Sequence, residues 1–273
     1  MRTKPPCTSY TLFNWEETMP TYKLLSSSSV KIDKSNKIED KYFSRIMYLA
    51  PHNLADGKNT VCPYSTIAKC HEPCLYLSGN GFYNSVQKAR IRKTLMFLND
   101  KGTFMTELFK DIFKFEKECK DLGKLPALRL NGTSDIQWET IKIKKDKSIF
   151  EYFPDVQFYD YTKIPTRKVD NIPNYHLTWS YSEANDKYAK LFDSVTENKA
   201  VVFRDELPSF FKGLKVIDGD KHDMRFLDEP NVVVGLKAKA KARTDYSGFV
   251  IDNLIEARAI IWVMILKYIV LVT

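Results

Sequence analysis

The sequence predicts an α/β fold, a full or partial parallel barrel of about six or seven strands, with residues 46–250 as the barrel-like domain between an N-terminal arm, 1–45, and an apolar tail, 251–273. Three observations predict it. Short apolar runs alternate with segments long enough to cross over, which implies parallel pairing. Compact polar and charged clusters follow directly after the runs, as they do where the carboxyl ends of parallel strands converge on one face. The 273 residues are 44% hydrophobic and 13% aromatic with ten Gly and twelve Pro, enough to bury a full core and too ordinary for a low-complexity or collagen-like chain.

Along the chain, Pro5-Pro6, the polar run 26–29 and the charged stretch 31–41 read as a lead-in. A first strand, 46–50, ends at Pro51 and is followed by a polar loop, 52–60, and three closely spaced cysteines. Residues 83–98 read as a helix with Asn84 or Ser85 as N-cap. A second helix follows, in which Phe104, Leu108, Ile112 and Phe115 recur at the helical period while Lys110, Lys114 and Lys117 occupy the solvated face. Six more strands are expected at 127–130, 156–159, 175–179, 200–203, 215–217 and 232–236.

The clusters after these runs supply the candidate pocket. Asn131 and Asp135 follow the first of the six, and Asp160 and Lys163 the second. Asp218, Asp220, Asp223 and Arg225 follow 215–217, where three carboxylates in a short loop repel unless a cation or ligand offsets them. Lys237, Lys239, Lys241 and Arg243 alternate with alanines, so on a strand they would share one face and could meet a nucleic-acid backbone, although no aromatic is interleaved to stack on bases. The formal charge of +8 fits attraction to anions and names no partner.

Cys62, Cys70 and Cys74, with seven and then three residues between them, are the sharpest feature. Thiolates gathered on one loop converge on a soft metal. An iron–sulfur cluster normally takes four protein thiolates, so three would leave one iron open to substrate or S-adenosylmethionine. Zinc would be completed by His71 or His52. The spacing matches neither a zinc ribbon nor the three-then-two pattern usual in radical S-adenosylmethionine enzymes. Cys7 and Cys119 read as bystanders. An odd cysteine count and an opening without a signal peptide lead to the expectation of a cytoplasmic protein. The tail 259–273, apolar except for Lys267, is shorter than the roughly 20 residues of a spanning helix, so no membrane is expected.

The blocks 62–75, 84–94, Arg129-Leu-Asn-Gly-Thr-Ser-Asp135, 154–163, 174–178, 216–220, 223–228 and 234–239 resemble the bacteriophage and prophage proteins related to gene product 88, over about residues 37–250. The host cytoplasm would then be the location. Their three-cysteine loop and α/β pattern are in turn similar to radical S-adenosylmethionine barrels. By that resemblance Cys62, Cys70 and Cys74 would hold a [4Fe–4S] cluster, and Asn131, Asp135, Asp160, Lys163, Asp218, Asp220, Asp223 and Arg225 would line the pocket for cofactor and an unknown substrate. The alternative is a zinc-stabilised module that binds nucleic acid or a host protein without catalysis.

Overall fold

Two amphipathic helices and a run of parallel strands set the architecture. The structure, a computed structural model, describes residues 23–143 and 146–252. Helices α2 (Asn84–Asn99) and α3 (Lys101–Asp121) are joined by Asp100, whose carboxylate accepts the Thr103 amide at 3.1 Å and so starts α3. Along α3 the buried residues Phe104, Leu108, Ile112, Phe115 and Cys119 fall three or four apart, a stripe that faces the sheet. Each large side chain buried there contributes about 1.5–3 kcal/mol. Cys119 is fully buried in this core, as a packing residue.

The stripe lies against β2 (Tyr42–Met47) and β3 (Leu125–Arg129), with Phe43 and Phe115 rings 6.3 Å apart. Parallel pairing then continues through β4 (Gln157–Thr162), β5 (Tyr175–Ser180), β6 (Lys199–Phe203), β9 (Val233–Lys237) and β8 (Leu214–Asp218), in that spatial order. These are the seven expected strands, displaced by a few residues at their ends. Short antiparallel strands flank them, β1 (Leu25–Ser26) on β2 and β7 (Phe210–Phe211) on β8. β10 (Val250–Ile251) joins the carboxyl half of β6 on the side that β5 has already left.

The sheet is open, which corrects the expectation of a barrel. Among the described residues β8 does not pair with β2; β9 sits between β6 and β8, and antiparallel strands cap both edges. The gap is spanned by α1 (Val30–Ile38) and the segment 219–228. Ser29 caps α1 by accepting the Ile32 amide at 3.2 Å. From α1, Lys31 reaches Asp223 at 2.8 Å, Lys34 bonds the Asp220 carbonyl, and Ser35 Oγ accepts the Asp223 amide at 2.9 Å. Residues 23–45, expected as an arm, therefore hold β1, α1 and the first part of β2.

Side chains alternate along each strand, so the sheet has an outer face under α2 and α3 and an inner face turned away from them. On the inner face Met224 and Phe226 pack on Ala127, Tyr42 and Tyr159, with the Phe226 ring 4.9 Å from Tyr42 and 5.4 Å from Tyr159. The expected basic stripe does not form. β9 ends at Lys237 and residues Ala240–Thr244 turn as a 3-10 helix, while Lys237 pairs with Glu206 and Lys239 with Asp220. No helix among the described residues is long and apolar enough to cross a membrane. Cys7 and the tail 259–273 lie outside the described residues.

Candidate metal centre

The loop after β2 carries the three cysteines over the carboxyl ends of the parallel strands, because its backbone is stapled to the neighbouring connections. The Val61 amide donates to the His52 carbonyl at 3.0 Å and the Val61 carbonyl accepts the Asp135 amide at 2.8 Å, tying the loop to the end of β3. Farther along, Ser182 Oγ donates to the Ala68 carbonyl at 2.8 Å, tying it to the end of β5. Between these anchors Cys62 Sγ accepts the His52 amide at 3.3 Å, and the Cys70 amide reaches the Ser65 carbonyl at 3.1 Å. Cys74 sits just before a turn in which Gly81 presses on the Tyr76 carbonyl; a Cβ there would lie 1.9 Å from that oxygen.

Burial pushes all three thiols up, Cys74 to about 11, and each raises or is raised by another of the three across the same small space. Lys163 faces the group. Its ammonium donates to Ser180 Oγ at 2.8 Å and the Ser180 carbonyl at 3.1 Å and lies 4.6 Å from the Phe249 ring centre. Burial lowers its pKa, against the opposing pull of Cys70, Asp135, Cys74 and Cys62. Among the described residues no three His, Cys, Asp or Glu side chains have already converged as a metal cage.

Two histidines flank the loop with ring centres 5.1 Å apart. Ser65 Oγ gives its proton to the Cys62 carbonyl at 2.7 Å, so His52 Nδ1, 2.9 Å from that hydroxyl, is the donor of their bond. His71 Nδ1 likewise donates to the Ser65 carbonyl at 3.1 Å. In the neutral rings both Nε2 atoms therefore keep their lone pairs.

The polar residues expected to line one pocket separate into three groups. Asp160 accepts the Asn131 amide at 2.7 Å, Asn131 Nδ2 at 3.1 Å and the Tyr175 hydroxyl at 2.9 Å. Arg167 grips Glu139 through two 2.8 Å bonds and reaches Asp135 at 3.3 Å. This buried network on the outer face shapes the loops after β3 and β4. Burial pushes the Asp160 carboxyl up to about 7, against Arg167 and Arg129, and raises that of Asp135, against Arg167. Asp135 touches both worlds, since it also accepts the Lys163 amide at 2.8 Å.

Asp218 and Asp220 form the second group at the surface, where Asp218 caps the Asp220 amide at 2.9 Å and Asp220 accepts the Lys237 amide at 3.1 Å. Asp223 and Arg225 belong to the third, on the inner face with Arg129, Tyr161 and His176. The three carboxylates of one loop are thus relieved by three different partners. Arg129, Arg167, Tyr161 and His176 were not among the expected site residues. A family model described as gene product 88 matches residues 22–253. No curated protein and no solved structure matches the chain.

Proposed function

The chain belongs to the gene product 88 family of phage proteins, and we propose that it is an iron–sulfur protein of radical S-adenosylmethionine-like type, with Cys62, Cys70 and Cys74 as the thiolates of a [4Fe–4S] cluster. The observation that supports this reading is three thiols on one loop stapled to the carboxyl ends of β3 and β5, with the Lys163 ammonium set against them. A three-thiolate cluster carries net negative charge, which Lys163 offsets in a site that excludes much of the solvent. When bound, such a cluster would supply one-electron chemistry and an open iron position for S-adenosylmethionine. The chain itself would hold the thiolates, orient Lys163 through Ser180 and fix the loop through Ser182 and Asp135. Loading requires the loop to draw the sulfurs together and release their protons. The substrate is left open by this geometry.

Anaerobic reconstitution of the full chain with iron and sulfide tests the reading. The expected product is brown, with about four iron and four sulfide per chain, and its reduced EPR spectrum changes when S-adenosylmethionine is added. Each of Cys62→Ala, Cys70→Ala and Cys74→Ala should abolish the colour while Cys119→Ala keeps it. The free Nε2 atoms of His52 and His71 favour a second reading, zinc held by cysteine and histidine in a module that binds nucleic acid or a host protein. Stoichiometric zinc without iron, lost in His52→Ala or His71→Ala, would establish that reading and overturn the first.

A further inference from the structure

The inner face carries a cationic cluster that the cysteine reading leaves unused. Its members come from separate elements: Lys31 on α1, Arg129 on β3, Tyr161 on β4, His176 and Thr178 on β5, and Arg225 in the 3-10 turn Arg225–Leu227. The Arg129 guanidinium lies 4.5 Å from the Tyr161 ring centre and donates to Asp223 at 2.9 and 3.1 Å. Arg225 donates through Nη2 to the His222 carbonyl, and its Nη1 stands 3.3 Å from Asp228 Oδ2 without the alignment of a hydrogen bond. Gly219 closes on that same guanidinium, since a Cβ there would come within 3.1 Å of Nη1.

Two features of this cluster point to a missing acceptor. Arg129 Nε, Arg225 Nε, the Tyr161 hydroxyl, His176 Nε2 and Thr178 Oγ1 are all buried and make no hydrogen bond among the described residues. Buried polar atoms are almost always paired, and these five, together with Arg225 Nη1 and one acceptor, Asp228 Oδ2, on three adjacent strands and the turn facing them, are a concentrated exception. The charges are also unequal. Lys31, Arg129 and Arg225 form ion pairs with Asp223 and Asp228, while Asp220, which also acts on Lys31, is held by Lys239, and Asp160, which also acts on Arg129, lies on the other face of the sheet among its own donors. An excess of cations and donors wants a compact group with several acceptor oxygens, which guanidinium forks bind well.

We propose that this cluster binds an oxyanion, the carboxylate or phosphate of a small molecule, between Arg129, Tyr161 and Arg225. α1 and the segment 219–228 cover the cluster, so the ligand is small; Lys31, Tyr161 and His176 keep part of their surface open and mark the way in. The proposal does not rest on the metal reading.

The test is calorimetric titration of the metal-free full chain with inorganic phosphate and, separately, with succinate, both against sodium chloride at equal ionic strength. Saturable binding to a single site is expected for at least one of the two, and the preferred anion separates phosphate from carboxylate. Tyr161→Phe and Thr178→Val remove a hydroxyl and little else. Each should weaken binding about tenfold or more, the worth of a hydrogen bond to a charged group, without lowering the melting temperature of the anion-free protein. Arg225→Gln should abolish binding. If neither anion saturates above the chloride control, or if Tyr161→Phe and Thr178→Val bind as the parent does, the proposal is overturned.

Discussion

Asp223→Asn is the substitution whose cost the structure defines most fully. The carboxylate side chain is 3% exposed and accepts Lys31 at 2.8 Å and Arg129 at 2.9 and 3.1 Å. Asparagine keeps the volume, so the loss is electrostatic rather than a cavity. At an effective dielectric constant of about 20, two unit charges at the Arg129 separation attract by roughly 6 kcal/mol gross. Breaking a buried pair by changing one partner costs about 3–5 kcal/mol net. Lys31 is 36% exposed, so its share is screened to below about 1 kcal/mol. We expect a loss of about 3–4 kcal/mol at neutral pH, or a melting temperature lower by roughly 8–14 °C. Burial works to raise the Asp223 carboxyl, but Arg129 and Lys31 outweigh it and hold it well below the ordinary range. A depressed folded pKa adds stability above the unfolded value, and that stability drains away as pH falls below it. Urea unfolding followed by circular dichroism should therefore show the gap between parent and variant narrowing by about 1 kcal/mol from about pH 5 to about pH 3.3. A gap under about 1 kcal/mol at neutral pH, or one that does not change on acidification, would refute the reasoning.

Three further substitutions probe the loops around the cysteines. Arg167→Lys loses the planar fork that grips Glu139 and leaves buried carboxylates short of donors, so urea unfolding should report a loss of about 2–4 kcal/mol; a change near zero would count against the outer network. Gly81→Ala drives a Cβ into the Tyr76 carbonyl, so the turn after Cys74 must move; the expected cost is about 2 kcal/mol with new protease cleavage in 74–83, and unchanged resistance would contradict it. Ser182→Ala removes the staple to Ala68, worth about 1 kcal/mol; hydrogen exchange should rise in 62–74 and stay constant in α3, whereas a uniform rise would mean that Ser182 supports the whole fold instead.

The elements that were legible are those whose local pattern is also their burial pattern. In α3 the three-and-four spacing from Phe104 to Phe115 is the buried stripe itself, and each of the seven apolar runs overlaps a parallel strand, the run 46–50 only at Ile46 and Met47. α1 escaped because only Ile32 and Ser35 are buried among nine residues that otherwise read as a charged tether. β1, β7 and β10 are two residues each, too short for any period to register. Barrel closure was beyond the sequence for a different reason: chain order does not say that β9 separates β6 from β8. The cysteine loop stood out because its three thiols are close together in the chain. The carboxylates were not legible, since Asp220 and Asp223 find partners that only the fold brings near, Lys31 being almost two hundred positions from Asp223. One signal for the missed cluster was present: Arg129 interrupts the apolar run 127–130, and a charge at an inward position of a buried strand needs a partner.

β4 relates the two candidate sites to each other. Tyr161 and Lys163 are two positions apart, so both point to the inner face with a spacing of about 6.5–7 Å along the chain. Tyr161 belongs to the guanidinium cluster and Lys163 to the thiols. The Phe249 ring over Lys163, supplied by the segment leading into β10, covers it where β5 and β10 part. The opening between those strands is thus a consequence of β6 taking two different partners on one side. Lys163 and the guanidinium cluster thus occupy consecutive levels of the same sheet face, where a chain in register by one residue more would have sent Lys163 to the outer network instead.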